Sequence, residues 1–109
     1  MSKPDILLFM SDQHNALYTG YSEYQVVETP NLDRIAGSGT NFEAAYTSSP
    51  LCVPARMSML TGRLPSATSI FDNQGAIPED EVTFLHSLAA EGYETVLCGR
   101  MHFKGENQR

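Results

Sequence analysis

The apolar positions of this chain fall into short runs separated by polar breaks. Ile6-Leu7-Leu8-Phe9-Met10 is an uninterrupted apolar run, closed by Ser11-Asp12-Gln13. Its length and its polar stop predict a strand over 5–10, buried on both faces of an α/β sheet. Thr29-Pro30-Asn31-Leu32-Asp33-Arg34-Ile35-Ala36 predicts a helix, with Thr29 as N-cap, Pro30 at the first helical position and Asp33 as an early acid. Gly37 and Gly39 are its stop signals. Residues 40–46 read as a strand or extended segment with Phe42 facing inward. A second helix is expected from Pro54 to about Thr61, followed by a loop-rich stretch over 64–77. A third is expected from Pro78, with Glu79, Asp80 and Glu81 in its first turn. Val82, Leu85, Leu88 and Ala89 would form its apolar stripe, and Gly92 would end it. Residues 93–97 read as a last strand. The order β–α–β–α–α–β predicts an α/β fold, an open and mostly parallel sheet with helices on both faces. No internal repeat, low-complexity segment or linker interrupts it.

Composition narrows the partners more than the fold. The 109 residues suit one small domain, and 41% hydrophobic content is ordinary for a soluble chain. A net charge of -6 argues against a nucleic-acid or anionic-membrane surface. Any anion site must therefore be built locally, from a few arginines, a helix end or a metal. No run is long enough to span a bilayer. The start, Met1-Ser2-Lys3-Pro4-Asp5, does not read as a secretory signal, so a cytoplasmic location is expected. The two cysteines, Cys52 and Cys98, are not expected to pair in that compartment. Cys98, closing an apolar segment, is expected to be a small buried hydrophobe. Neither cysteine belongs to a C-x-x-C pair, which makes a thiol redox protein the weakest class.

Cys52-Val53-Pro54-Ala55-Arg56 and the following Thr61-Gly62-Arg63 carry the chemistry. Pro50 imposes an extended entry on the residue before it, and Pro54 suits a first helical turn. Cys52 is thus expected at or just before a helix N-terminus, where backbone N–H groups favour an anionic oxygen or a bound sulfate. Arg56 lies four residues on, so its guanidinium can return toward the same end. For an isolated cysteine, a buried structural role would be the better reading. Here cysteine, proline, arginine and T-G-R stand in register. The stretch resembles the C-x-P-x-R signature of the type I sulfatases, members of the alkaline-phosphatase-like superfamily.

Two further segments extend the resemblance. Ser11-Asp12-Gln13 follows the first expected strand, at the carboxyl end where open α/β sheets place their sites. A carboxylate there suits a hard cation, although a lone aspartate after a strand is more often a turn residue. Sulfatases commonly carry two adjacent aspartates at this point. The resemblance therefore implies Asp12 as a metal ligand, with Gln13 able to offer only a neutral carbonyl oxygen. Gly99-Arg100-Met101-His102-Phe103 resembles the family's G-K-x-H motif, whose lysine and histidine bind the sulfate and the modified cysteine. His102 matches directly; Arg100 replaces lysine, keeping the charge and changing its geometry. Asp72-Asn73 lies where some members set an asparagine against the sulfate, and a plain turn is the alternative for it. Tyr46-Thr47-Ser48-Ser49-Pro50-Leu51-Cys52, Met101-His102-Phe103 and the Asp-Gln pair look most like the choline-sulfatase branch.

The resemblance implies a sulfuric ester hydrolase. Its nucleophile would be Cα-formylglycine, made from Cys52 by a formylglycine-generating enzyme. Its metal would be calcium or magnesium, or manganese as in some relatives, held by Asp12, Gln13 and the modified Cys52. Arg56, Arg100 and His102 would stabilise the negative oxygens, with Asn73, Arg100 and His102 on the substrate. The substrate would be a small sulfate ester, choline sulfate among them. Family members are several times longer, so residues 1–109 are expected to form the N-terminal portion of one catalytic domain and to be inactive alone. Phosphonate monoester and phosphodiester hydrolases of the same superfamily share the nucleophile and the Asp-Gln pair. A fold fragment or interaction module keeping the motif without catalysis is the alternative from another class.

Overall fold

The computed structural model describes residues 3–24 and 26–103. The chain divides into two compact units, Met1–Ala44 and Ala45–Arg109. Among the described residues the regular elements are four helices: α1, Pro30–Ser38; α2, Cys52–Thr61; α3, Pro65–Thr68; and α4, Phe84–Ala90. No helix among the described residues is long and apolar enough to cross a membrane.

In the first unit α1 starts where its sequence signals place it, with Thr29 at the N-cap and Pro30 opening the helix. Thr29 does not cap in the usual way. Its hydroxyl donates to Asp33 Oδ1 at 2.7 Å and accepts the Gly20 N–H at 2.8 Å. The residue before α1 thereby ties the helix to the preceding loop. A side chain at Gly20 would run into the Asp33 carboxylate. Gly39 ends α1 with extended backbone, and Gly37 lies inside the helix rather than beyond it.

In the second unit Val53 and Met57 of α2 pack with Ile70, and Ile77 covers them. Leu60 and Pro54 are also buried. The helix packs against both α3 and α4. It begins at Cys52, two residues before Pro54. Proline is tolerated at that third helical position because the first turn has no intrahelical use for its N–H. The T-G-R extension shows three local devices. Thr61 Oγ1 donates to Met57 O at 2.8 Å. Gly62 takes the left-handed conformation (φ 68°) and donates its N–H to Ser58 O, a helix stop that glycine adopts without steric cost. Arg63 then reaches both carboxylate oxygens of Glu81 at 2.9 and 3.1 Å, and Ala67 O at 2.8 Å.

Four expectations are corrected. No strand forms among the described residues. Segments 5–10, 40–46 and 93–97 carry no ladder, and their apolar side chains face outward: Leu7 is 90% exposed, Phe42 77% and Val96 80%. Hydrophobic patterning reports what a segment is suited to, whereas a strand needs a partner for every other N–H and C=O. Residues 64–77 include the short helix α3. The last helix starts at Phe84 rather than Pro78. Pro78–Glu81 closes instead as a turn, Glu81 N–H donating to Pro78 O at 3.2 Å. Thr83 becomes the N-cap, and its N–H donates to His86 Nδ1 at 3.1 Å. Val82 therefore stands outside the helix and is exposed, as is Ala89, so only Leu85 and Leu88 of the expected stripe are half-buried. Cys98 is exposed rather than buried.

Candidate active site

The second unit gathers three of the predicted segments around the first turn of α2. Cys52 is the first residue of that helix, half-buried, with Leu51 as an extended N-cap. The approach is held by short hydroxyl links. Thr47 Oγ1 donates to Ser49 O at 2.8 Å, and Leu51 N–H donates to Ser49 Oγ at 3.2 Å. The Thr-Ser-Ser-Pro run before the cysteine is thus a chain of side-chain turns that sets the helix start.

Arg56 lies one turn along, and only 8% of it is exposed. Its Nη1 donates to Met101 O at 2.5 Å and to Arg100 O at 3.2 Å. A buried guanidinium needs such partners, because an unsatisfied charge there would be costly. The effect is to fasten the main chain of Gly99–Phe103 beside α2. Ile77 N–H adds a second link to that segment, donating to Phe103 O at 3.2 Å. Two residues in the segment take unusual backbone, Gly99 (φ 103°) and His102 (φ 49°). The left-handed region is uncommon for a histidine and accompanies a specific local geometry. His102 is half-buried and Arg100 exposed.

Asn73 arrives from the 72–75 turn, where Asp72 Oδ1 accepts the Gln74 N–H at 2.9 Å. Its Oδ1 accepts the Val53 N–H at 3.0 Å. Asp72 makes the turn, and the turn delivers Asn73 to the helix that carries Cys52. Nothing in the sequence signals that hydrogen bond, because its partners are 20 positions apart. The Ser58 Oγ, which no sequence signal marks, is buried without a hydrogen-bond partner among the described residues, on a groove of about 280 Å³ lined in part by Tyr46, Ser48 and Arg63.

Asp12 and Gln13 lie in the first unit, on an exposed turn in which Gln13 has φ 53°. His14 brackets that turn, its Nε2 within 2.8 Å of Tyr18 O and its Nδ1 within 3.2 Å of Ser11 Oγ. Since a carbonyl only accepts, Nε2 carries the proton. Asp12 and Gln13 offer two oxygen-bearing side chains, whereas a hard divalent cation takes six or more oxygen ligands. No cluster of three or more His, Cys, Asp or Glu side chains suited to a metal forms among the described residues. The pair fits one side of a cation site and does not complete it.

The sulfatase family model matches residues 4–109. The chain belongs to the sulfatase family. It is 42% identical to a choline-sulfatase of Rhizobium meliloti over 106 residues, which is 97% of this chain and 21% of that protein. It is 36% identical to an ulvan-active sulfatase of Formosa agariphila, over 98% of this chain and 21% of that protein. A human steryl-sulfatase is likewise 36% identical, over 93% of this chain and 19% of its own length. This sulfatase-family chain thus spans about a fifth of the length of the curated relatives it matches. No solved structure matches it. Family membership implies the alkaline-phosphatase-like α/β architecture; the helices described above are the part of it that this sulfatase chain displays.

Proposed function

We propose that the protein is a sulfuric ester hydrolase in which Cys52, converted to formylglycine, is the nucleophile. The observation that carries the reading is the placement of Cys52 at the first position of α2, with Gly99–Phe103 bound alongside through Arg56. An N-terminal helical turn stabilises an anionic oxygen through its aligned peptide dipoles. Position 52 would hold the modified residue, whose hydrated form would supply two hydroxyl groups on one carbon, a pair that an unmodified cysteine or a serine lacks. A bound calcium, magnesium or manganese ion would supply Lewis acidity at the attacking and sulfate oxygens.

The chain's own residues orient and stabilise. Asp12, with Gln13 beside it, provides part of the cation's oxygen ligands. Arg56 sets the G-R-M-H-F segment beside the nucleophile. His102, Arg100 and the amide of Asn73 stabilise charge on the sulfate oxygens in transit. The rest of the domain supplies the remaining ligands and the leaving-group acid, and the 109-residue chain alone is inactive. Choline sulfate is the substrate we favour, on the motif likeness and on the 42% identity to the choline-sulfatase.

The test is made on the intact protein, matured with a formylglycine-generating enzyme. Peptide mass spectrometry should show conversion of the Cys52 thiol to the aldehyde, with turnover of choline sulfate and aryl sulfate exceeding that of an aryl phosphonate. A faster phosphonate reaction would move the protein to the phosphonate hydrolases of the same superfamily. An unmodified thiol, with the maturation enzyme shown to be active, would refute the mechanism.

A further inference from the structure

We infer that Asn73 is a positioning residue for Cys52, acting as an N-cap supplied from a distant loop. This rests on the sulfatase reading only in making Cys52 the reactive position. A helix start leaves backbone N–H groups without intrahelical partners, and the usual remedy is a Ser, Thr, Asp or Asn at the N-cap itself. Here the N-cap is Leu51, which has no side-chain oxygen and makes no side-chain cap. The structure meets donors at this helix start from elsewhere. Leu51 N–H goes to Ser49 Oγ, Pro54 has no N–H, and Val53 N–H goes to Asn73 Oδ1 at 3.0 Å. The residue next to Cys52 is thereby anchored by a side chain from another loop.

That loop is itself fixed. Asp72 closes the turn through Gln74 N–H, and Gly75 N–H donates to Asp72 O at 3.4 Å. A Cβ on Gly75 would stand 2.6 Å from Ile70 Cγ2, so the turn lies directly against that side chain. Ile70 in turn is packed with Val53 and Met57. The core and the cap thus locate the same turn of α2 from two sides. Because Oδ1 is the accepting atom, the amide orientation is defined and Nδ2 points its hydrogens elsewhere. Aspartate keeps the acceptor; leucine keeps the bulk and removes it.

The experiment is amide hydrogen exchange at Val53 in the intact protein and in Asn73→Asp, Asn73→Leu and Asn73→Ala. Loss of a cap should speed Val53 exchange by roughly five- to thirtyfold in the leucine and alanine variants. Asn73→Asp should hold it near the parent rate, since a carboxylate is also favoured at a helix N-terminus. Alkylation of the unmodified Cys52 thiol, followed by peptide mapping, should accelerate in the leucine variant and not in the aspartate variant. A space-filling role would give the reverse order, with leucine protected and aspartate not, and would overturn the inference. Unchanged Val53 exchange in Asn73→Ala would overturn it as well. Both readouts are made without substrate, so absence of sulfatase turnover in the parent would count against the proposed function alone.

Discussion

Replacing Arg56 by alanine removes the donor that two backbone carbonyls share. Nη1 serves Met101 O at 2.5 Å and Arg100 O at 3.2 Å from a side chain only 8% exposed. A hydrogen bond from a charged donor contributes about 1.5–3 kcal/mol. Both bonds come from one nitrogen and Arg100 stands at the surface, so we count the pair at about 2–4 kcal/mol rather than twice the full value. That energy holds Gly99–Phe103 to α2, and the Ile77 N–H, bonded to Phe103 O at 3.2 Å, reports on it. At ~1.4 kcal/mol per tenfold, the Ile77 amide of Arg56→Ala should exchange between roughly thirtyfold and several hundredfold faster than in the parent. Arg56→Lys should recover only part of the protection, because an ammonium lacks the planar fork. Hydrogen exchange of the intact protein, read at single-residue resolution, makes the measurement. Parent-like Ile77 protection in a folded Arg56→Ala variant would show that the arginine does not hold the segment.

Other substitutions probe separate parts of the argument. Cys52→Ala should abolish turnover of sulfate esters while shifting the thermal midpoint by only a few degrees, since a small half-buried side chain is lost; normal activity in that variant would refute the nucleophile. Gly75→Ala forces a methyl against Ile70 and should destabilise by about 1–3 kcal/mol, checked by denaturant midpoint. Arg63→Ala removes an ion pair with an exposed arginine and should cost about 0.2–1 kcal/mol, with the difference shrinking in high salt. Asp12→Ala should weaken calcium or magnesium binding to the intact protein at least about tenfold, and Gln13→Ala less, because a carboxylate is the stronger hard-cation ligand; equal calorimetric affinities for parent and Asp12→Ala would remove Asp12 from the metal site.

The signals that were legible in the sequence are those whose cause is local. Pro30 after Thr29 marked the start of α1, and Gly92 lies just past the end of α4, because helix ends are decided within a few residues. The position of Cys52 at the α2 N-terminus followed from Pro50 and Pro54 in the same way. The start of α4 was displaced because two helix-opening signals compete: Pro78 with its acids, and Thr83 with His86. Glu81 belongs to Arg63 in the structure, and the Thr83–His86 bond wins the cap. The cap on α2 was illegible because Asn73 is remote in sequence from Val53. The strands expected over 5–10, 40–46 and 93–97 do not form among the described residues; pairing is a property of two segments, and periodicity describes one. For the candidate site, family resemblance located Cys52, Arg56, Asn73, Arg100 and His102. It did not reveal that Arg56 binds main chain or that Asn73 reaches the helix.

Arg56 grips carbonyl oxygens, a group every residue possesses, and it is indifferent to the identity of the residues that present them. Position 100 can therefore mutate freely as far as docking is concerned. Its own side chain makes no hydrogen bond or ion pair among the described residues. An arginine can stand where the G-K-x-H motif has lysine without dislodging the segment. The same separation offers an engineering handle. Substitutions at position 100 can change the charge and reach of an exposed side chain while the main chain beneath stays held by Arg56, at little cost to folding.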